Sequence, residues 1–254
     1  MNIIACIKSV RTELVNTEAL VGDNYSINPF DLYAFQSVFD LKSKIDCNIT
    51  CLSMGANGIR DSLVKCYALG ADNVIWLKDS NFAGSDTVAT AYILSNAIKK
   101  LTKFDLITCG EMAIDGETGQ VPAGLAEKLH IRYVPGVKKI VEISERSVLL
   151  ETSCEKYENI IRVELPAVLG FSEFTIAYKN FSLMALKKAQ RMSINTYTSF
   201  ELDIDPSLCG KRGSKTEVLC TKSNFEKKAG VRISGNAYEA ARLIKELVIG
   251  KGGG

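Results

Sequence analysis

Apolar residues follow two alternating patterns along the first half of the chain. Short continuous runs, rich in aliphatic and β-branched residues, predict buried strands at residues 3–7, 49–53, 74–77 and 106–109. Between them, apolar residues at helical spacing predict helices over residues 28–45, 58–69, 85–103 and 122–130. Asn28 and Pro29 suit the start of a helix, and Gly70 suits the position after a helix end. This alternation predicts an α/β fold with a doubly wound, mostly parallel sheet, Rossmann-like in its arrangement.

The pattern changes after residue 133. Alternating residues predict strands at 137–143, 147–152 and 159–163, and the last two form a hairpin. A mixed, polar segment follows, with a short helix over 184–192. The tail has a helix over 237–249, in which Leu243, Ile244 and Leu247 lie on one side. We therefore expect an α/β domain over residues 1–222 and a C-terminal arm over 223–254.

Composition narrows the classes of function. The 31 basic and 29 acidic residues give a net charge of +2, which offers no bulk attraction for nucleic acid. No window approaches the roughly eighteen apolar residues of a membrane span, and residues 2–7 are too short for a signal-peptide core. The cysteines are scattered, so buried, reduced thiols and a cytoplasmic protein are expected. Cys47 and Cys51 lack a second pair and His130 stands alone, so no metal site is predicted.

Residues 110–121, G-E-M-A-I-D-G-E-T-G-Q-V, are the most informative stretch for function. They join a predicted strand to a predicted helix, where unpaired N–H groups and the helix dipole favour a phosphate. Gly116 and Gly119 allow close approach of the main chain, Thr118 offers a hydroxyl and Gln120 an amide. The spacing matches neither a Walker loop nor G-x-G-x-x-G. An ordinary loop with a capping threonine is therefore the alternative.

The same loop resembles the A-I-D-x-D/E-T-x-Q-V/M signature of the electron transfer flavoprotein beta subunit. Further blocks resemble this family in the same order along nearly the whole chain. They are the opening strand that ends in Lys8, N-P-F-D at 28–31, L-S-M-G at 52–55, A-L-G-A-D at 68–72, F-A-G-S-D-T at 82–87, V-E-L-P-A-V at 163–168 and K-A-G-V-R at 228–232. By this resemblance the chain is identified as a member of the family, whose fold is like that of the adenine-nucleotide alpha hydrolases.

The resemblance implies an adenine nucleotide across the strand ends. Main-chain groups after the first strand would pair with the adenine edge, and the 110–121 loop would hold ribose and phosphates. Asp115 and Glu117 would then point to ribose hydroxyls or to solvent. A plain helix cap is the alternative role for Asn28. The implied cofactor-binding residues are Cys6, Ile7, Lys8, Asn28, Pro29, Phe30, Asp31, Met54, Gly55, Gly110, Ala113, Asp115, Thr118, Gly119, Gln120 and Val121.

Two cofactors are possible in this site. Members of the family hold either AMP, as a structural ligand, or a second FAD that accepts a hydride from NADH and bifurcates its electrons. Asp31 and the T-G-Q-V form of residues 118–121 resemble members that take FAD, so FAD is slightly preferred over AMP. Residues 8–12 lack the Pro-Asp that is common in bifurcating members, and residues 151–155 lack the usual basic residue. These departures argue against bifurcation and leave the choice open.

The resemblance also implies partners. An alpha subunit, which carries a further FAD, would be clasped by the C-terminal arm, although the apolar stripe of the tail helix alone would favour packing on its own sheet. A flavin dehydrogenase, of the acyl-CoA type, would dock on a recognition loop at residues 175–192. Phe181 would be the anchor of that loop, and its alternative role is to pack beneath the loop. The implied partner-binding residues are Phe181, Leu183, Met184, Lys187 and Lys188.

The chain shows no constellation for bond-making catalysis, because it has neither a Ser-His-Asp set nor a cysteine paired with a histidine. An electron carrier, whose chemistry belongs to the flavin, is the expectation. Two alternatives remain open. One is a stand-alone adenine-nucleotide-binding module of the universal-stress or ATP-pyrophosphatase type, although the glycine-rich loops typical of those groups are missing. The other is a structural subunit with a vestigial AMP site.

Overall fold

A computed structural model describes residues 1–12, 25–101, 103–179, 181–217, 219 and 236–249, with side chains to residue 246 in the last segment. In chain order, its strands are β1 Asn2–Cys6, β2 Ser9–Arg11, β3 Tyr25–Ile27, β4 Asn48–Met54, β5 Asn73–Leu77, β6 Leu106–Gly110, β7 Arg132–Ile143, β8 Ser147–Cys154, β9 Tyr157–Glu164, β10 Ala167–Phe171 and β11 Asn195–Tyr197. Its α-helices are α1 Pro29–Phe39, α2 Arg60–Ala68, α3 Thr87–Leu101, α4 Val121–Leu129, α5 Leu183–Gln190, α6 Ser199–Leu202, α7 Gly210–Gly213 and α8 Ala237–Ile249.

The central sheet joins nine of these strands in the order β11-β5-β4-β1-β6-β10-β7-β8-β9. Every neighbouring pair from β11 to β7 is parallel, whereas β8 and β9 add to β7 in antiparallel orientation. Strands β2 and β3 form a separate antiparallel ribbon. The predicted α/β fold with a mostly parallel sheet is therefore confirmed.

Two hydrophobic layers cover the two faces of this sheet. In β1, Ile3 and Ala5 belong to the layer that includes residues of α1 and α2. Ile4 and Cys6 belong to the opposite layer, with residues of α3 and α4. Because successive side chains of a strand point to opposite faces, a continuous apolar run is what a strand covered on both faces requires. Each fully buried aliphatic side chain stabilises the fold by about 1.5–3 kcal/mol.

Local signals located most of the elements in the first half. Gly70 follows the C-cap residue of α2 and has a φ of +108°, so that prediction is confirmed. His130 ends α4 as its C-cap in a left-handed conformation. The helix that begins at Pro29 ends earlier than predicted, at Phe39, and continues as a 3-10 turn over Asp40–Ser43. The four cysteines predicted inside apolar elements are buried, namely Cys6, Cys51, Cys66 and Cys109.

The second half contains strands whose pairing the pattern did not reveal. The antiparallel strands predicted over 137–163 are present and longer than expected. Strand β10 inserts between β6 and β7, and β11 pairs with β5 at the far edge of the sheet. Both are parallel additions of five and three residues. The short helix predicted over 184–192 corresponds to α5, which packs against α2.

Asp86 joins the start of α3 to a segment near residue 215. One carboxylate oxygen accepts the N–H groups of Val88 and Ala89, both at 2.9 Å, which caps α3. The other accepts the N–H groups of Lys215 at 2.6 Å and Thr216 at 3.1 Å. Burial disfavours the ionised carboxylate, but these hydrogen bonds outweigh it and lower the pKa of Asp86. We call this arrangement the Asp86 junction.

The chain divides into two units, Met1–Glu217 and Val218–Gly254. The sequence analysis placed the corresponding boundary between residues 222 and 223. In the second unit the predicted tail helix is present as α8, with Asn236 accepting the N–H of Glu239 at its start. Leu243 and Ile244 are exposed. The K-A-G-V-R block at 228–232 and the side chain of Leu247 lie outside the described residues.

Candidate functional site

Three strand ends meet at the carboxyl edge of the sheet. Strands β4, β1 and β6 are adjacent and parallel, so the loops that follow Cys6, Met54 and Gly110 emerge at the same edge. Ligands of open α/β sheets bind outside the carboxyl ends of their strands. The implied cofactor-binding residues therefore come from neighbouring loops of one sheet edge, although they are far apart in sequence.

The loop between β6 and α4, residues 110–120, is called the phosphate loop below. It starts with a tight turn, in which the carbonyl oxygen of Ala113 accepts the N–H groups of Gly116 at 3.2 Å and Glu117 at 2.8 Å. Glu117 and Gly119 both have positive φ, +50° and +63°. These left-handed residues turn the main chain into the start of α4.

Three successive N–H groups, those of Thr118, Gly119 and Gln120, have no acceptor in the part of the chain that the structure describes. Gln120 is the N-cap residue of α4 and makes no side-chain cap bond. The part of the alternative in which a threonine caps this helix is wrong, because Gln120 and not Thr118 is the N-cap residue. Unpaired N–H groups ahead of a helix, with the positive end of the helix dipole behind them, form an anion-binding arrangement.

Lys8 and Asp115 form an ion pair at this edge. The Lys8 ammonium lies 2.6 Å from a carboxylate oxygen of Asp115, and the two side chains are 49% and 31% exposed. At this exposure the pair contributes about 1 kcal/mol or less to stability. The pair cancels the charge of Asp115 next to the anion site. Asp115 therefore contacts Lys8, whereas the sequence analysis expected it to face ribose hydroxyls or solvent.

Asn28 and Asp31 are buried beneath the phosphate loop, with 1% and 6% of their surface exposed. The carboxylate of Asp31 accepts the N–H of Lys8 at 2.8 Å and the N–H of Gly110 at 2.7 Å. The Asn28 side chain donates to the carbonyl oxygen of Met112 at 2.9 Å and accepts the N–H of Ile114 at 3.3 Å. We call this pair of side chains the buried latch, because it fixes the ends of β1 and β6 and the first half of the loop. The alternative in which the Asn28 side chain caps α1 is wrong.

Burial dominates the electrostatics of Asp31. It raises the pKa of this carboxyl group from 3.8 to about 6, against the opposing effect of the N–H groups of Lys8 and Gly110, the Asn28 amide and the Lys8 charge. Its neighbour Cys109 has a pKa well above 9.0, because of its contact with the Cys6 thiol and because of burial. The thiol group of Cys109 is therefore neutral around neutral pH.

The main chain of Lys8 is fully engaged. Its N–H donates to Asp31, and its carbonyl oxygen accepts the N–H of Asn28 at 2.8 Å. The N–H of Ile7 donates to Leu52. Both main-chain groups of Lys8 are thus hydrogen-bonded within the protein, and pairing of main-chain groups at Cys6, Ile7 and Lys8 with an adenine edge stays a prediction.

Tight packing closes the edge around Gly110. A Cβ atom on Gly110 would lie 2.5 Å from the Cβ of Phe30 and 2.8 Å from the Asp31 nitrogen, so only glycine lets α1 approach β6 this closely. Pro29 is buried at the start of α1. The ring of Phe30 contacts that of Phe174, with centroids 5.5 Å apart.

Trp76 holds the turn that follows β4, a role that its sequence position did not predict. The indole N–H of Trp76 donates to the carbonyl oxygen of Gly55 at 2.9 Å, and the N–H of Gly55 donates to Leu77 at 3.1 Å. Trp76 is 6% exposed, with the Lys78 ammonium 4.7 Å from its ring centroid. Its sequence position in an apolar run indicated only a core residue.

The segment predicted to recognise a partner separates into a buried and an exposed part. Phe181 is half-buried against the core and meets Tyr178 edge-on, with centroids 6.5 Å apart. Leu183 and Met184, at the start of α5, are 67% and 80% exposed. Lys187 and Lys188 lie on the same helix and are exposed. The exposed apolar side chains are thus Leu183 and Met184 rather than Phe181.

Comparison with known proteins gives the family. Residues 17–199 match the electron transfer flavoprotein domain. The chain is 33% identical over 255 residues to the electron transfer flavoprotein subunit beta of Thermoanaerobacterium thermosaccharolyticum, covering 97% of each chain. It is 32% identical over 264 residues to protein FixA of Azorhizobium caulinodans, covering 97% of this chain and 94% of FixA.

A third relative is the caffeyl-CoA reductase-Etf complex subunit CarD of Acetobacterium woodii, which is 28% identical over 257 residues, with 97% of this chain and 98% of CarD covered. Among the described residues, no helix is long and apolar enough to cross a membrane. The full-length likeness replaces the alternative of a stand-alone nucleotide-binding module. This chain belongs to the electron transfer flavoprotein family and groups with its beta subunits.

Proposed function

We propose that this chain is the beta subunit of a heterodimeric electron transfer flavoprotein that binds an adenine nucleotide at the carboxyl edge of its sheet. With an alpha subunit that carries FAD, it shuttles electrons between a flavin dehydrogenase and other redox partners. The run of unpaired N–H groups from Thr118 to Gln120, ahead of α4, carries the nucleotide assignment. Relatives named as a subunit beta and as a subunit of a reductase-Etf complex support a multi-subunit assembly.

FAD is the preferred nucleotide over AMP. Thr118 and Gln120 are exposed in the phosphate loop, so the loop is accessible to a nucleotide. Residues 118–121 also carry the T-G-Q-V form that resembles FAD-binding members. When bound, a flavin supplies the electron-transfer chemistry, and the residues of this chain bind it, orient it and set the charge around it. Oxidation of NADH with electron bifurcation is the extended form of this proposal.

The nucleotide can be identified by composition. The chain is co-expressed with the alpha subunit of its own organism, and the purified complex is denatured to release its nucleotides. Two FAD per heterodimer support the proposal, and one FAD with one AMP supports the structural form of the site. A complex with FAD in the alpha subunit and no second nucleotide would favour a vestigial site.

A glycine pair tests the location of the site. Gly119 has a φ of +63°, and a Cβ there would contact only the Glu111 oxygen, at 3.7 Å. Gly119→Val therefore strains the main chain and obstructs the ligand without a core clash. We expect a folded heterodimer that has lost the nucleotide of this chain. Gly116→Val is the matched control, since nothing lies within 4 Å of its Cβ position. Equal nucleotide content in both variants contradicts the assignment.

Docking of the dehydrogenase is assigned to Leu183 and Met184, ringed by Lys187 and Lys188. Exposed apolar side chains surrounded by positive charge suit a transient interface. Met184→Ala should slow electron transfer from an acyl-CoA-type dehydrogenase and leave the melting temperature unchanged. Phe181→Ala should lower the melting temperature, because Phe181 packs against the core. If Phe181→Ala slows transfer and Met184→Ala does not, the anchor is Phe181 after all.

A further inference from the structure

We propose that Asn28 and Asp31 are positioning residues that hold the phosphate loop ready for an anion and do not touch the nucleotide. This inference rests on the proposed function, because it concerns the same site. It differs from the role that the family resemblance gives these residues, which is direct contact with the ligand. The inference rests on one observation: the buried carboxylate of Asp31 and the buried amide of Asn28 together connect two strand ends and one loop by hydrogen bonds.

Every polar atom of the buried latch already has a partner within the protein. Each oxygen of Asp31 accepts one main-chain N–H, and the Asn28 side chain uses its oxygen and its nitrogen on the loop and also hydrogen-bonds Asp31. Both residues are more than nine-tenths buried. A nucleotide at the sheet edge would meet the main chain that the latch holds, not the latch itself.

The hydrogen bonds of the latch fall on alternate residues of the loop. Gly110 and Ile114 donate to it, and Met112 accepts from it. The tight turn on the carbonyl oxygen of Ala113 comes next, followed by the unpaired N–H groups from Thr118 onward. The latch therefore fixes the half of the loop that precedes the anion-binding half.

Because the latch already orders the phosphate loop, less conformational entropy is lost when an anion binds. Fixing the main chain costs conformational entropy, so a loop that is already ordered binds an anion more tightly than a loop that orders on binding. Loss of the two Asn28 bonds should therefore weaken phosphate binding by roughly tenfold.

The test compares a ligand that has a nucleoside with one that lacks it. The heterodimer is stripped of the nucleotide of this chain, and AMP binding is measured by calorimetry, with inorganic pyrophosphate as a competitor. A positioning role predicts that Asn28→Ala weakens AMP and pyrophosphate by the same factor. A direct contact with adenine or ribose predicts a loss for AMP and none for pyrophosphate, and that result overturns the inference.

Two further variants complete the design. Asn28→Ser offers a shorter hydroxyl group and adds no charge beside Asp31, so its loss should be no larger than that of Asn28→Ala. Asn96→Ala is the matched control, because its amide donates to the carbonyl oxygen of Tyr92 inside α3, away from the loop. If Asn28→Ala does not fold, Asn28→Ser carries the comparison, with hydrogen exchange of the Ile114 amide as the local readout.

The outcomes separate this inference from the proposed function. If wild-type heterodimer binds neither AMP nor FAD in this chain, the proposed function fails. If wild-type protein binds AMP and Asn28→Ala and Asn28→Ser bind it equally well, the latch fails while the site stands. Accelerated exchange at Ile114, together with parallel losses for AMP and pyrophosphate, supports the latch.

Discussion

Asp31 and Asp86 have the same structural role, that of hydrogen-bonding two separate segments together, in different surroundings. Each carboxylate joins segments that are far apart in the chain by accepting main-chain N–H groups with both of its oxygens. Asp31 is buried, and its pKa rises to about 6, whereas Asp86 is near the surface and its pKa falls below 3.8. The comparison shows that the balance of the two effects decides the sign of the pKa shift: burial outweighs the hydrogen bonds at Asp31, and the hydrogen bonds outweigh burial at Asp86.

The largest effect should be the pH dependence that Asp31 imposes on stability. Between pH 3.8 and about 6 the folded chain holds a proton that the unfolded chain has lost, so the free energy of unfolding falls as pH rises. The shift corresponds to about 3 kcal/mol. Urea unfolding of wild type and Asp31→Asn across this range should show the wild type losing about that much stability relative to the variant.

The groups that surround Asp31 allow this pH dependence of stability to be attributed to Asp31 itself. The titratable groups that face it are the Lys8 ammonium, which is charged, and the thiol of Cys109, which is neutral throughout this range. A stability difference between wild type and Asp31→Asn that is constant with pH would show that Asp31 is solvated in the folded protein.

Gly110→Ala, in the buried region next to Asp31, should cause the next largest change in stability. The new Cβ would push Phe30 and the main chain of Asp31 away from β6, at a cost of about 1–3 kcal/mol. Thermal unfolding measures this loss, and the nucleotide should be lost with it. Gly116→Ala, in the open part of the same loop, is the control and should change stability by less than about 0.5 kcal/mol.

Asp86→Asn should break the surface junction while leaving the helix cap intact. The amide oxygen can still accept the N–H groups of Val88 and Ala89, but the amide NH₂ cannot accept those of Lys215 and Thr216. We expect a loss of about 1–2 kcal/mol and faster hydrogen exchange at Lys215 and Thr216. In wild type this stabilisation is present above the unfolded pKa of 3.8 and is lost as pH falls below it, which is the reverse of Asp31.

Asp205→Asn provides the matched control for this junction. Asp205 also accepts a main-chain N–H, from Ser207 at 2.8 Å, within its own turn. Its replacement should leave the exchange of Lys215 and Thr216 unchanged. Equal exchange at these amides in wild type and Asp86→Asn would remove Asp86 from the junction.

The smallest stability effect should come from Asp115, which extends the comparison to an exposed ion pair. Asp115→Asn removes the partner of Lys8 and should change the free energy of unfolding by about 1 kcal/mol or less. It also leaves Lys8 uncompensated beside the anion site, so affinity for inorganic pyrophosphate should rise, and more so at low salt. Unchanged affinity at low ionic strength would place the Lys8 charge too far from the bound anion to matter.

The predictable part of the fold is the part that local periodicity decides. Residues 1–130 alternate between two clear patterns, and signals such as Gly70 and His130 act within a single helix turn. Strands β10 and β11 were missed because they are five and three residues long, and their identity depends on the distant strands they pair with.

The candidate site could be located from sequence but not understood in detail. The order of strand, small-residue loop and helix is a local feature, so the phosphate loop was visible. The buried latch was not, because Asp31 reaches an N–H 79 residues away and Asn28 a carbonyl 84 residues away. In the sequence, Asn28 before Pro29 has the usual appearance of a helix cap, and only the packing of α1 against β6 redirects its side chain.

The hydrogen bond from Trp76 to Gly55 gives the protein a built-in optical probe. The chain contains a single tryptophan, so its fluorescence reports on one place, the turn that follows β4. An isoalloxazine ring absorbs where tryptophan emits, and a flavin at the sheet edge would therefore quench this residue by energy transfer, whereas AMP would not. Titration of the stripped heterodimer with FAD, in an alpha subunit whose tryptophans are replaced by phenylalanine, would then follow Trp76 and distinguish the two nucleotides without any added label.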